Sequence, residues 1–335
     1  SLLAEPEEIE NKSGLPFKVF TPFWKHCLKK LNASTPLPAP QKVETPEVSL
    51  KTTELSELKL EPEQDWGHSM NEVWTPGERG AASALELFIN DSFNDYAKIR
   101  NFPNTKGTSR LSPHLRFGEI SPRQIKHSLE QSGHAHWKES HYLSEIGWRE
   151  FGYHLLYHFP HTVREPLRPQ FNRFPWKENS PQLRSWQKGQ TGYPLVDAGM
   201  RELWATGWMH NRVRMVVASF LVKHLLIHWR HGADWFWDTL VDADLASNTQ
   251  GWQWTAGSGA DAAPYFRIFN PTTQAIKFDP EGDYIRKWIP ELRHMSAPDI
   301  FEPSKVDRGQ NYPNPIVDHS DARDRALKAY EKTKA

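Results

Sequence analysis

Hydrophobic and polar residues along most of this chain recur at helical rather than strand-like spacing. Leu85, Phe88, Ile89, Phe93 and Tyr96 follow the steps of three and four residues that place side chains on one face of a helix. No stretch shows sustained alternation with a period of two between hairpin turns. The pattern therefore predicts an all-α fold.

Local start and stop signals divide this region into helices. Thr75-Pro76-Gly77-Glu78 has the order of an N-cap, a proline in the first turn and a capping-box glutamate. Ser112-Pro113 and Ser121-Pro122 repeat the start signal, and Gly118 and Gly133 are the predicted stops. Each of these signals indicates a helix boundary.

Longer apolar periodicities predict three further helices over residues 136–158, 194–206 and 208–230, the last ending at Gly232. Between the helices we expect long loops over residues 101–111, 159–181 and 242–283. Loops of this length in a compact domain are usually functional or disordered. Their aromatic content favours a functional role.

The first 72 residues differ from the rest because short amphipathic pieces alternate with prolines and charges. Only residues 19–31 have a helical pattern there, so residues 1–72 are interpreted as a linker that follows a missing domain. Residues 73–318 are predicted to form the helical domain. Residues 319–335 form a predicted tail helix with a solvated, charged face.

Composition limits the choice of partners. Lys and Arg total 41 and Asp and Glu also total 41, so DNA binding would need a local basic patch rather than a global field. The single cysteine, Cys27, excludes an intramolecular disulfide and a cysteine-ligated metal site. No apolar run approaches the roughly 20 residues of a membrane span, and no signal peptide is evident. We expect a soluble, cytoplasmic protein without a metal.

Two groups of residues carry candidate chemistry on predicted helices. Glu145, Trp148 and Arg149 share one helix face, which suits a heteroaromatic ligand or an ion pair over a half-buried indole. Trp208, Asn211 and Met215 form a second stripe, flanked by Arg212 and Arg214. That stripe faces either a partly polar, partly aromatic ligand or the core.

Two loops add polar groups. Asp242 and Asp244 lack the spacing of a calcium-binding loop, so pairing with Arg214 and with sugar hydroxyls is favoured over metal binding. The stretch Thr108–Ser112 enters a helix N-terminus, which suits a phosphate but also occurs as a simple cap.

Ordered motifs carry a resemblance to a known family. TSRLSP, SEIGWREF, TGYPLVDAGMREL, TGWMHNRVRM, DADLASNTQGWQW and FRIFNPTTQAIKFDP occur in this order. Together they resemble the C-terminal flavin domain of the DNA photolyase and cryptochrome family, in particular the bacterial class I cyclobutane pyrimidine dimer photolyases. The resemblance covers roughly residues 14–295. The family's N-terminal antenna domain has no counterpart here, so we expect no antenna chromophore on this chain.

The resemblance implies a U-shaped FAD, active as FADH−, in a helical cavity. The implied cofactor contacts are Tyr96, Thr108, Ser109, Arg110, Leu111, Ser112, Tyr142, Glu145, Arg149, Trp208, Asn211, Arg214, Asp242, Ala243, Asp244 and Asn248. Arg214 is expected to pair with Asp242. Asn248 falls where the family places a residue against flavin N5, and asparagine there favours repair over signalling.

The same resemblance implies sites for electrons and for DNA. Fifteen tryptophans are present, nine of them between residues 176 and 254, and a single tryptophan is more often packing than chemistry. By motif, Trp252, Trp229 and Trp186 form an electron relay from the flavin to the surface. Glu145 would donate a proton to the dimer, with Met215 touching the dimer. The implied DNA contacts are Arg100, Glu145, Trp148, Asn211, Arg212, Trp254 and Gln274, with Lys106, Arg116, Arg123 and Arg267 as further rim candidates.

The expected function is therefore light-driven repair of cyclobutane pyrimidine dimers in DNA by a monomeric deoxyribodipyrimidine photolyase. Three alternatives stay open. A cryptochrome-type photoreceptor would bind the same flavin, and a (6-4) photoproduct photolyase would need a histidine pair near the lesion, for which His210 is a candidate. A helical DNA-binding module would use its tryptophans only for packing.

Overall fold

Helices make up the regular structure of this chain. The computed structural model describes residues 2–31, 35–45, 47, 51–61, 64–65, 67–262, 264–265, 267–306 and 312–334, and no strand occurs among them. The predicted all-α class is confirmed. The helices are α1 (Phe20–Lys30), α2 (His68–Val73), α3 (Glu78–Asp91), α4 (Tyr96–Ile99), α5 (Ser112–Phe117), α6 (Pro122–Gln131), α7 (His141–His158), α8 (Ser180–Gln187), α9 (Pro194–Thr206), α10 (Asn211–Ser219), α11 (Trp229–Thr239), α12 (Leu245–Ala256), α13 (Pro271–Phe278), α14 (Asp283–Trp288), α15 (Pro303–Val306) and α16 (His319–Glu331).

The core consists of two large hydrophobic clusters and a smaller aromatic one. The first cluster joins α9, α10, α11, α12 and α14, and the second joins α1, α3, α6 and α7. Helix α12 packs against α7, α10 and α11, so it connects the two clusters. The functional cavity lies along this junction.

The predicted continuous helix over residues 208–230 is wrong. Helix α10 begins at Asn211, passes into a π-helical turn over Phe220–His224, and ends before Leu226, which has φ 56°. Helix α11 then begins at Trp229. The break escaped prediction because the apolar residues on both sides of it are buried, so the hydrophobic pattern continues across it.

The predicted long loop over residues 242–283 is also wrong, because it contains α12 and α13. Asp244 caps α12 by accepting the backbone N–H of Ser247 at 2.7 Å. Asn270 caps α13 in the same way. These side chains satisfy N–H groups that have no partner within the helix, so sequences of modest propensity become helical.

Two predicted caps differ from the structure. Helix α3 is preceded by Gly77 at φ 93° rather than capped by Thr75, and α5 begins at Ser112 itself. The predicted helix start at Ser121-Pro122 is confirmed, and the structure adds a capping box between Ser121 and Gln124. Helix α7 begins at His141, five residues later than predicted, after a 3₁₀ turn over Trp137–Glu139.

The first thirty residues pack against α7. The helix predicted within residues 19–31 is confirmed by α1, which buries Trp24 and Cys27. Glu150 on α7 accepts the Leu3 backbone N–H at 2.7 Å. Burial raises the pKa of Glu150 to about 7. The division into linker and domain stays a prediction.

The predicted tail helix is confirmed by α16. Its Ala322, Ala326 and Ala329 are buried, so one face packs on the protein while charged residues occupy the other. No helix in the described ranges has the length and apolar character needed to cross a membrane.

Candidate functional site

A cavity of about 640 Å³ lies between α7, α10 and α12, closed by the segments before α5 and after α11. This volume is typical of sites for cofactor-sized ligands. The cavity brings together every residue predicted to contact the cofactor. Lining it are Tyr96, Thr108, Ser109, Arg110, Leu111, Ser112, Tyr142, Glu145, Arg149, Trp208, Asn211, Arg214, Asp242, Ala243, Asp244 and Asn248.

Helix α7 supplies one wall. Glu145, Trp148 and Arg149 lie on the same face, as predicted, and all three line the cavity. The Glu145 carboxylate pairs with the Arg100 guanidinium at 2.6 Å, and Trp148 stacks on Phe20 with ring centroids 3.8 Å apart. Trp148 is 37% exposed, so its other face is available at the cavity mouth.

A second layer supports the α7 wall. The Arg149 guanidinium lies 4.7 Å from the centre of the Tyr153 ring. The Tyr153 hydroxyl donates a hydrogen bond to Asp244. Burial, together with this contact to Asp244, raises the pKa of Tyr153 to about 12, so the hydroxyl keeps its proton. Asp244 is thus fixed both as a helix cap and as an acceptor.

The predicted pair of Arg214 and Asp242 is present. Their nearest atoms are 2.8 Å apart, and Arg214 Nε also donates to the Met209 carbonyl at 2.7 Å. The guanidinium therefore ties the segment before α10 to the segment after α11. Asp242 Oδ1 is buried without a hydrogen-bond partner, which is unusual for a carboxylate oxygen and leaves an acceptor for a ligand.

The segment predicted to hold phosphates lies at the cavity. Arg110 has φ 53°, and its guanidinium lies between two indoles, 4.6 Å from the Trp74 ring centre and 4.5 Å from that of Trp208. The Arg110 guanidinium is therefore held by the two indoles. The hydrogen-bond donors that the segment Thr108–Ser112 offers to a ligand are its backbone N–H groups and its side-chain hydroxyls. Trp208 Nε1 donates to the Ser112 hydroxyl at 3.3 Å.

Asn248 occupies the face of α12 that borders the cavity. Its side-chain amide donates to the Ala233 carbonyl at 2.9 Å, which orients the group and leaves the amide oxygen as an acceptor. Three cavity residues on this face, Ser247, Gly251 and Thr255, were not predicted. Helical spacing from Asp244 would have found them, had the region been predicted as a helix.

Of the predicted relay tryptophans, Trp252 lines the cavity, whereas Trp229 is buried outside the cavity lining. Trp252 lines the cavity and packs so tightly on Gly232 that an added Cβ there would lie 2.0 Å from its ring. Glycine is therefore required at position 232 for this approach. Trp229, one turn earlier on α11, is buried.

The third predicted relay residue, Trp186, is not the surface end. It has 0% exposure, and its Nε1 donates to the Val217 carbonyl at 3.0 Å. Its ring lies 6.1 Å from that of Trp252, so it neighbours the inner tryptophan. Trp176 is partly exposed instead, and it contacts His228, the residue next to Trp229.

The basic residues predicted for DNA divide into two groups. Arg100, Arg116 and Arg212 line the cavity, as do the predicted lesion contacts Met215 and Trp254. Outside the lining are Lys106, Arg123, Arg267 and Gln274. Arg123 Nε donates to the Leu2 carbonyl at 2.8 Å, and its side chain is 47% exposed, so its place on a DNA rim stays a prediction.

His210 does not face the cavity. It is buried as the N-cap of α10, where its Nδ1 accepts the Arg212 N–H at 3.1 Å. Burial and the neighbouring arginines lower its pKa to about 3, so the ring is neutral. Among the described residues that line the cavity, none is a histidine.

Comparison with known proteins places these features in a family. Residues 142–332 match the FAD-binding domain of DNA photolyase, and residues 1–41 match a DNA photolyase model. A deoxyribodipyrimidine photo-lyase of Agrobacterium fabrum is 48% identical over 99% of this chain and 72% of its own length. Cryptochrome-1 of Arabidopsis thaliana is 38% identical over 98% of this chain and 51% of its own length. The crystal structure of a bacterial class III photolyase from Agrobacterium tumefaciens superposes with a TM-score of 0.93 at 47% identity, covering 99% of this chain and 72% of that one.

The cavity fits the FAD implied by the matched domain. The unpartnered Asp242 Oδ1 is an acceptor for a buried N–H or hydroxyl, and the buried Tyr142 hydroxyl likewise has no partner. Arg214 and Arg149 supply positive charge beside them. These residues would hold the isoalloxazine edge, the ribose and the phosphates. The chain belongs to the FAD-binding DNA photolyase and cryptochrome family.

Proposed function

We propose that this chain repairs cyclobutane pyrimidine dimers in DNA under blue light. Reduced FAD supplies a light-driven electron when bound. The observation that carries the proposal is that the predicted lesion residues and the predicted cofactor residues line one cavity. Glu145, Trp148, Asn211, Met215 and Trp254 lie around the same space as Asp242 and Asn248.

The chain's own residues suit a flipped-out dimer. Trp148 and Trp254 offer aromatic surfaces on which two pyrimidines can pack after leaving the stack. A dimer leaves the duplex at low cost because its bases are already poorly paired. The residues named here need only bind and orient the dimer.

Positive charge at the mouth suits the DNA backbone. Arg212 is held by Asn101 Oδ1 at 2.6 Å and lies 4.5 Å from the Phe278 ring centre, so its guanidinium is fixed. Arg100 is fixed by Glu145. Fixed guanidinium groups bind phosphate without a large loss of side-chain entropy. Because the overall charge is balanced, DNA binding needs a local basic patch, and these arginines supply one.

The alternatives receive less support. A (6-4) photolyase needs histidines at the lesion, but the cavity lining that the structure describes contains none. The similarity to a cryptochrome is compatible with a photoreceptor role. Asn248 favours repair, because the family resemblance associates asparagine beside flavin N5 with repair. The similar Agrobacterium structure is a class III photolyase, whereas the sequence motifs resemble class I.

Glu145 is expected to matter for repair through its charge. Its carboxylate accepts from Arg100 in this structure, so a proton-donor role requires that pair to open. Replacing Glu145 with alanine should lower the repair yield by roughly 10-fold to 100-fold, as losing a charge-assisted hydrogen bond costs ~1.5–3 kcal/mol, while flavin absorbance stays unchanged. Repair per absorbed photon, measured with pre-reduced protein, checks this.

Arg100→Ala separates the two roles of Glu145. If Glu145 acts only by holding Arg100, the double variant should repair no worse than either single variant. If Glu145 contacts the dimer itself, the losses should add. Full repair by the Glu145→Ala variant would contradict both roles.

DNA binding tests the proposed function before any light is used. The flavin-loaded protein should bind a dimer-containing duplex more tightly than the same undamaged duplex, and Trp148→Ala should reduce the difference. Equal affinity for both duplexes would favour a photoreceptor. A colourless protein that binds both would favour the DNA-binding module.

A further inference from the structure

His228 lies between two of the aromatic residues that lead from the cavity to the surface. Its ring centroid is 5.5 Å from that of Trp229 and 4.9 Å from that of Trp176. Trp229 is buried, and both Trp176 and His228 are partly exposed. The imidazole therefore contacts both a buried indole and a partly exposed one.

The hydrogen bonding of His228 fixes its chemical form. Nδ1 accepts the Arg230 backbone N–H at 3.1 Å and so caps α11. A nitrogen that accepts this bond carries no proton, so the neutral ring has its proton on Nε2. Protonating Nδ1 would break the cap. Burial and the nearby Arg230 and His231 lower the pKa of His228 to about 4, in agreement with a neutral ring.

We propose that His228 is a positioning residue for the outer step of the tryptophan relay, where it holds Trp176 against Trp229 and keeps positive charge away from both indoles. The inference rests on the proposed function. In this step Trp176 gives one electron to oxidised Trp229, so Trp229 is restored and Trp176 is left one electron short. A soluble thiol then returns one electron to Trp176. His228 neither gains nor loses a proton or an electron.

Neutrality matters because the step moves a positive charge. A cation about 5 Å from both rings would oppose oxidation of either indole, most strongly that of the buried Trp229, where water screens it least. Arg230 is exposed, so water screens its charge. A neutral imidazole packs against both indoles without making either one harder to oxidise.

Two substitutions separate the relay role from the capping role. Asparagine and aspartate are both good N-caps, so His228→Asn and His228→Asp should keep α11 intact while removing the ring. The first leaves the position neutral, and the second adds a negative charge that favours oxidised Trp176. His231→Asn is the matched control, because it makes the same chemical change three residues further along α11, at a histidine that is not the helix cap.

The measurements are photoreduction of the oxidised flavoprotein with a thiol present and transient absorption of the oxidised tryptophan. His228→Asn should slow photoreduction several-fold and shorten the lifetime of the tryptophan signal, and His228→Asp should restore part of that lifetime. His231→Asn should match the wild type. Repair by pre-reduced protein, flavin content and thermal unfolding should be the same in all four proteins.

Unchanged photoreduction and tryptophan lifetimes in both His228 variants would overturn the role of His228 alone, provided Trp229→Phe still blocks photoreduction. If Trp229→Phe also has no effect, the relay itself fails and this inference fails with it. The proposal would also be overturned if His228→Asn lost helix content and His228→Asp did not restore it. His228 would then be only a structural residue.

Discussion

Replacing Asp242 with asparagine is expected to weaken flavin binding strongly. The substitution removes the charge that pairs with Arg214 at 2.8 Å, in a position where the Asp242 side chain is only 3% exposed. Breaking a buried ion pair costs about 3–5 kcal/mol, because the remaining charge is left uncompensated. Flavin affinity should fall by roughly 10²-fold to 10³-fold. Absorbance of the purified protein and titration with FAD measure the loss.

The matched control is Asp283→Asn. Asp283 pairs with Arg286 at 2.9 Å, but its side chain is 55% exposed, so water screens the interaction. Surface pairs of this kind contribute at most about 1 kcal/mol. The control should therefore keep normal flavin content. Normal flavin content in Asp242→Asn as well would show that Arg214 and Asp242 do not organise the site.

Replacing Trp176 with phenylalanine should reduce photoreduction of oxidised flavin to near its background level. Trp176 is the partly exposed indole that contacts His228 beside Trp229, and phenylalanine is far harder to oxidise than tryptophan. Repair by pre-reduced protein should be unaffected, because it does not draw on this relay. Photoreduction under blue light with a thiol present checks the prediction.

Trp186→Phe provides the comparison. Trp186 is fully buried, and its replacement removes the Nε1 hydrogen bond to the Val217 carbonyl, a net loss of about 0.5–1.5 kcal/mol. The protein should therefore be less stable but should still photoreduce. The opposite pattern, with photoreduction lost in Trp186→Phe and kept in Trp176→Phe, would restore the assignment made from the sequence motif.

Helical periodicity predicted the fold class and the paired cavity faces on α7 and α10. Helical periodicity failed where consecutive residues are all buried, because hydrophobic and polar positions then no longer alternate. Residues on both sides of Leu226 are buried, so the break between α10 and α11 left no trace in the hydrophobic pattern. Helix α12 was not predicted because Ser247, Asn248 and Gly251 have modest helix propensity and Asp244 was not recognised as a helix cap.

The candidate site depended on ordered motifs more than on spacing. Spacing alone grouped Glu145 with Arg149, whereas the family resemblance brought in Tyr96 and Asn248, which the fold then places on the same cavity. Motifs do not report burial. The motif therefore predicted Trp186 as the surface end of the relay. Only the burial of Trp186 and the contact of Trp176 with His228 distinguish Trp186 from Trp176.

The most direct test of the proposed repair is to illuminate the flavin-loaded, reduced protein with blue light in the presence of two duplexes. One duplex carries a cyclobutane thymine dimer and the other a (6-4) photoproduct at the same position. We expect light-dependent loss of the cyclobutane dimer, with restored thymines, and no change in the (6-4) duplex or in either duplex in the dark. An intact cyclobutane dimer after illumination of a fully reduced, flavin-loaded protein would contradict the proposed function.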